Sequence, residues 1–263
     1  MSTLSYAIAD SATMLRRDFK HMLRYPSMTL QLVGMPIVFL LLFVYVFGGT
    51  LGAGLGHASA GRADYLEYVV PGVLLMAVAA KATGTAISVA MDMTEGIVAR
   101  FRTMAIFRPS LLVGHVLGSV TQCLLSMSVV TGVAVLIGFR PSASPVEWVA
   151  AIGVLALISL ALTWLAVAFG MVAKTVESAS NLPMPLVFLP FLGSGFVPTG
   201  SMPTGLRWFA EYQPFTPLIE TVRGLLLGTP IGNDAVIGIA WGVGITVVGY
   251  LWARRLYDRD PVR

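Results

Sequence analysis

Six long apolar stretches, separated by polar segments, dominate the chain. They run over about residues 29–51, 69–90, 111–137, 148–173, 181–197 and 236–253. A helix rises about 1.5 Å per residue and needs about 20 residues to cross the hydrocarbon of a bilayer, so each stretch predicts a transmembrane helix. The 181–197 stretch is short and carries Pro183, Pro185 and Pro190. Prolines remove backbone donors, and carbonyls freed inside a membrane must be satisfied by protein or water. This stretch therefore reads either as a kinked structural helix or as a broken helix lining a substrate path, with Pro185 and Pro190 as candidate path residues. Tyr65, Tyr68, Trp148, Tyr250 and Trp252 fall near expected span ends, where aromatic belts form.

Three polar segments have patterns of their own. In residues 1–26, Ile8, Leu15, Phe19, Met22 and Leu23 share one helical arc beside Arg16, Arg17, Lys20 and Arg24. That arrangement predicts an amphipathic helix lying in the headgroup plane, ended by Pro26. In residues 92–109, Asp92 and Glu95 have capping-box spacing, Ile97, Phe101, Met104 and Ala105 recur at helical spacing, and Pro109 closes the segment. A plain connector between antiparallel helices needs only about two to eight residues, so this longer segment reads as a functional surface helix. In residues 198–234, a short helix is expected near 203–212. A second is expected to start at Thr216-Pro217 and stop at Gly228. Glu220 and Arg223 are spaced to pair at i, i+3. The two short helices would dip into the outer leaflet as a lid, or as a gate formed by Glu220 and Arg223.

Charge orients this pattern. Of the 17 Lys and Arg residues, twelve fall in the N-terminus, the 100–108 stretch, Lys174 and the C-terminus, and four (Arg62, Arg140, Arg207, Arg223) lie in the alternate gaps. Cytoplasmic segments carry the excess of Lys and Arg, which places both termini in the cytoplasm and the protein in the cell (inner) membrane. The 263 residues are 56% hydrophobic and only 11% charged, against about a quarter charged in soluble domains. Soluble catalysis is excluded, and transport becomes the first function to consider. The net charge of +4 sits beside spans, where anionic lipid accounts for it, so no nucleic-acid partner is expected. Residues 1–24 hold no long apolar core, so the first stretch is expected to remain as an anchor. Cys123 is the one cysteine, and the three histidines are scattered, so neither a disulfide framework nor a metal site is expected.

Lys81 is the sole charge deep in an expected span. Intramembrane charge marks function by default. Pairing with a neighbour, lining of a substrate cavity and a misplaced helix boundary all remain open for it. Gly193-Ser194-Gly195 could frame a serine nucleophile, but no histidine base is expected near it, and small-residue packing between helices accounts for the glycines better. Neither Lys20, Lys81 nor Lys174 stands in a Gly-x4-Gly-Lys-Ser/Thr P-loop, so energy from ATP would have to come from a partner. An ion-gradient-driven secondary transporter or channel is the rival reading, weakened by the scarcity of acidic residues inside the spans.

The order of elements, with Asp92-x3-Gly96-x3-Arg100-x-Arg102, Ala105-Ile-x-Arg108 and Pro214-x2-Pro217-x2-Glu220-x2-Arg223-x4-Gly228, resembles the type-2 permeases of ATP-binding-cassette exporters, in particular the daunorubicin-resistance branch. Where that branch usually has a Leu-Pro-type pair, this chain reads Met104-Ala105. The resemblance implies a single all-α permease domain over residues 1–263. It would have six transmembrane helices, an N-terminal interfacial helix, a cytoplasmic coupling helix and outer helices before the last span. It also implies a second permease copy or a related permease as partner, and a separate ATPase subunit that carries ATP and Mg; this chain would bind no cofactor. Asp92, Glu95, Arg100, Arg102 and Arg108 would then be polar contacts to the ATPase, with Phe101 or Met104 as the apolar anchor. The substrate would be hydrophobic or amphipathic, a drug-like molecule or a lipid, moved out by alternating access. Lys81 and Ser194 join Pro185 and Pro190 as candidate path or interface residues.

Overall fold

A computed structural model describes residues 26–55, 61–94 and 110–259, with side chains over 33–55, 61–94 and 116–257. The expected interfacial helix before Pro26 and the coupling-segment residues Glu95, Arg100, Phe101, Arg102, Met104 and Arg108 lie outside the described residues. Every described regular element is helical. Five of the helices are long and apolar enough to cross a membrane.

The first crossing is α1 (Pro26–Leu42), which runs through a π-helical turn at Phe43–Phe47 into α2 (Gly48–Ala53). The second, α3 (Arg62–Thr94), is 33 residues long. Its residues 69–79 are buried on every side. A helix apolar all round belongs at the centre of a bundle, and α3 packs against the first, third and fourth crossings and segments that follow the fourth. The third crossing is α4 (Ser110–Leu136), after which Gly138 turns the chain at φ 121°. The fourth is α5 (Pro145–Val172). Ser144 caps it by accepting from the Glu147 amide, Glu147 reaches back to the Ser144 amide, and Pro145 takes the first helical position. The last crossing, α10 (Asp234–Arg259), lies along α5, with Gly242 against Leu157 and Gly249 against Trp164 and Leu165. Two polypeptides can approach so closely only where a side chain is missing.

Between α5 and α10 the chain departs from simple spans. Residues 181–197, expected to be one helix, form only pieces. After α6 (Val176–Asn181) come α7 (Met184–Phe188) and a run of turns from Leu189 to Phe196. Pro183 and Pro185 bracket the start of α7, where a missing N–H costs nothing, and Pro190 falls in the turns. The segment still travels along α3. It leaves the end of α5 near residue 175, and Gly195 lies against Gly72 at the other end of the bundle. The segment is thus broken rather than kinked.

A helical hairpin follows, made of α8 (Thr204–Tyr212) and α9 (Phe215–Leu227). Helix α9 starts deep, with Leu218 against Gly238. It ends level with the loop before α5, where the Leu226 carbonyl accepts from the Ser142 amide. Gly228 closes α9 in the left-handed conformation, φ 68°, as its sequence position suggests. The helix begins one residue before the expected Thr216 cap, and Thr216 spends its hydroxyl on the broken segment instead. Asp92 also differs from expectation. It sits in the last turns of α3 rather than capping a new helix.

Candidate functional site

The polar groups of this apolar bundle gather in two places. The first is the end of the bundle that bears the hairpin. Here Arg223 of α9 is 7% exposed. Its guanidinium donates to the Tyr68 carbonyl at 3.0 and 3.3 Å and to the Ser194 carbonyl at 2.8 Å, and pairs with Glu220 one turn back. The same group lies 3.8 Å over the Tyr68 ring, a cation–π contact. Tyr68 completes the cluster by donating its hydroxyl to the Ser194 carbonyl at 2.8 Å. The planar, five-donor fork of arginine suits two carbonyls and a carboxylate at once, which lysine could not reproduce.

The neighbouring turns are held in the same way. Tyr65 donates to the Phe196 carbonyl at 3.0 Å, and Gln213, at the tip of the hairpin, donates to the Leu189 carbonyl at 3.1 Å. Thr216 Oγ1 accepts from the Ser194 amide. Tyr65 and Tyr68 are therefore not lipid-facing belt residues. Tyr65 is fully buried, and both rings deliver donors to backbone freed by the break in the helix. The glycines permit the approach. A Cβ at Gly72 would collide with the Gly195 carbonyl, and one at Gly193 with the Gln213 amide. Ser194 is 2% exposed, and its hydroxyl has no hydrogen-bond partner among the described residues. The Gly193-Ser194-Gly195 turn serves packing, as the small-residue reading expects.

The second place is halfway along α3. Lys81 Nζ donates to Gln122 Oε1 of α4 at 2.6 Å. One turn on, Thr85 and Ser119 share a hydrogen bond at 3.0 Å. Ser119, Gln122 and Ser126 follow one face of α4 at helical spacing, and buried Ser159 of α5 adds a hydroxyl near Cys123. Helices α3 and α4 are regular here, so these groups repair no broken backbone. Lys81 is only partly buried, and beside it Ala80, Gly84 and Ser88 are exposed along α3.

The remaining sequence-derived residues are scattered. Pro190 is buried in the turns next to Gly195, whereas Pro185 is exposed on α7. Glu220 and Arg223 form the expected pair, yet the arginine is buried in the clasp rather than standing at an open mouth. Asp92 ends the long α3 opposite the hairpin. Sequence reasoning missed Gln213 and Gln122 and read Tyr68 as a belt residue. Gln122 was detectable as an amide inside an apolar stretch, and Gln213 as a polar residue just before Pro214 between two short helices.

Comparison with known proteins covers most of this architecture. The ABC-2 type transporter family matches residues 11–227. A daunorubicin-resistance ABC transporter permease of Streptomyces coeruleorubidus is 28% identical over 252 residues, covering 95% of this chain and 87% of the relative. A probable doxorubicin-resistance ABC transporter permease of Mycobacterium tuberculosis is 24% identical over 214 residues, covering 81% of this chain and 75% of the relative. Nodulation protein J of Rhizobium leguminosarum bv. viciae is 28% identical over 202 residues, covering 72% and 73%.

Proposed function

Because the chain belongs to the ABC-2 type transporter family and is a multi-pass permease subunit of an ABC exporter, we propose that it exports a hydrophobic or amphipathic molecule, drug-like or lipid, on energy delivered by a separate ATPase. The observation that carries this reading is the similarity to a drug-resistance permease along 95% of the chain. The spans support the substrate class. Among the described residues, Lys81 is the one charged side chain at mid-depth, so the path offers little to grip a strongly polar solute. A solute driven by an ion gradient would need more titratable groups there.

In this reading the chain sits in the cell membrane with its hairpin end outward and both termini in the cytoplasm. Two permease copies, or this chain and a related permease, enclose the path. Helix α3 is the transmission rod. At about 1.5 Å per residue its 33 residues span about 50 Å, longer than the bilayer is thick, so its Asp92 end projects toward the cytoplasm. Asp92, Glu95, Arg100, Arg102 and Arg108 form a charged rim against the ATPase, and Phe101 or Met104 supplies the apolar anchor. ATP and Mg are held by the partner. Closure of the ATPase pair displaces this surface segment, α3 carries the displacement along the bundle, and the path opens outward. Lys81 and Gln122 line the path, and the Arg223 clasp holds its outer end.

The test is co-purification. Reversing the charges at Arg100 and Arg102 should release the ATPase and abolish export while membrane insertion stays intact. An ATPase that still co-purifies at the wild-type ratio removes the coupling assignment.

A further inference from the structure

Beside the hairpin lies an apolar groove of about 260 Å³, walled by Leu189, Trp208, Tyr212, Pro214 and Trp241. Trp208 and Tyr212 are 66% and 65% exposed, and they contact each other with ring centroids 5.3 Å apart. The one polar residue on the floor, Gln213, already spends its amide on the Leu189 carbonyl and the Thr216 hydroxyl. The surface that faces the groove is almost wholly apolar, and leaving it filled with water in a bilayer would be unfavourable.

Its depth follows from α10. The 26 residues of that helix span about 39 Å, close to the 40–45 Å of a bilayer with its headgroups, so Asp234 lies at the outer edge of the headgroup layer. Trp241 is seven residues below, or about 10 Å. The headgroup layer is about 6 Å thick on each side, so the groove sits where headgroups give way to acyl chains. Next to it on α8, Arg207 Nε donates to Glu211 Oε1 at 2.7 Å, and the two side chains are about half exposed. A cation and an anion one helical turn apart, at headgroup depth, complement a headgroup that itself carries a phosphate and an ammonium.

We propose that this groove is a binding site for a resident zwitterionic phospholipid of the leaflet at the hairpin end, with the first methylenes of one acyl chain between Trp241 and Tyr212 and the headgroup against Arg207 and Glu211. An anionic headgroup without an ammonium would leave Glu211 facing like charge. The site therefore prefers phosphatidylethanolamine to phosphatidylglycerol. It is separate from whatever the permease exports, and it gives the hairpin a fixed seat in the bilayer.

The experiment uses the full chain in nanodiscs doped with phosphatidylethanolamine or phosphatidylglycerol carrying a diazirine high on one acyl chain. Light-driven labelling is mapped by peptide mass spectrometry. Labelling should concentrate on the peptides holding Trp208, Tyr212 and Trp241, and Tyr212→Ala with Trp241→Ala should lower it there by about fivefold, with labelling near lipid-facing Val248 unchanged. Glu211→Gln, an exposed change that the fold tolerates, should erase the preference for phosphatidylethanolamine while leaving total labelling in place. The proposal is overturned by labelling that is uniform along α10, by a Glu211→Gln variant that keeps the wild-type headgroup preference, or by groove peptides left unlabelled while Val248 is labelled, the pattern of a second copy seated there.

Discussion

Arg223 and Lys81 are both cations inside an apolar bundle, but they answer different needs. Arg223 sits where the backbone is broken, and its donors go to the carbonyls of Tyr68 and Ser194. Remove the break and the arginine has no structural task. Lys81 sits between two unbroken helices and donates to a side chain, Gln122. Nothing in the backbone there calls for a charge, yet a charge at mid-membrane is costly. The difference separates a cation spent on broken backbone from one held by a side chain between intact helices, the one we propose lines the path.

The largest expected effect therefore belongs to Arg223. Its three bonds to carbonyls, at roughly 1 kcal/mol each in a membrane interior, put the cost of Arg223→Ala at about 2–4 kcal/mol. A thermal scan in detergent should show a clearly lowered melting temperature, and Arg223→Lys should recover less than half of the loss. An unshifted melting curve for Arg223→Ala would make the clasp dispensable. Gly72→Ala comes next. The new methyl would meet the Gly195 carbonyl, and overpacking of this kind costs about 1–3 kcal/mol. It should destabilise without touching any charged group, which tests whether close approach or the arginine dominates at the hairpin end.

Lys81→Met should sharpen the contrast from the other side. Its effect on melting should stay below about 1 kcal/mol. Export should fall by about tenfold, the consequence of losing one charge-assisted contact to the moving molecule. A variant that melts far earlier than the wild type would turn Lys81 into a second structural clasp. The smallest effect concerns orientation alone. A cysteine at Ser142 should react with an impermeant thiol reagent from outside the cell, and one at Lys174 only after the membrane is opened. The reverse pattern would invert the bundle.

Much of this contrast is visible in the residues themselves. Span-length apolar runs marked six crossings, five of which are long apolar helices among the described residues, because lipid leaves no alternative to internal hydrogen bonding for such segments. Gly228 marked the stop of α9 by local chemistry, whereas the Ser144-Pro145-x-Glu147 cap, just ahead of the stretch read from residue 148, was overlooked. The three prolines of 181–197 signalled a disturbance, but not its extent. Whether a proline kinks a helix or ends it depends on donors that arrive from elsewhere, and here they come from Tyr65, Tyr68, Gln213 and Arg223, at sequence distances from 24 to 131 residues. Tyr65 and Tyr68 looked like belt residues for the same reason, since an aromatic near a span end is compatible with either lipid or a buried carbonyl. The partner of Lys81 was likewise set by helix packing, which brings α4 alongside α3.

The bundle is held here to be passive, moved by nucleotide hydrolysis on a partner. The direct measurement is substrate flux in sealed vesicles containing this chain alone, or this chain with its cognate ATPase and MgATP. The account predicts uphill accumulation only when the ATPase and MgATP are both present. Uphill transport by the permease alone, driven by an ion gradient, would contradict it.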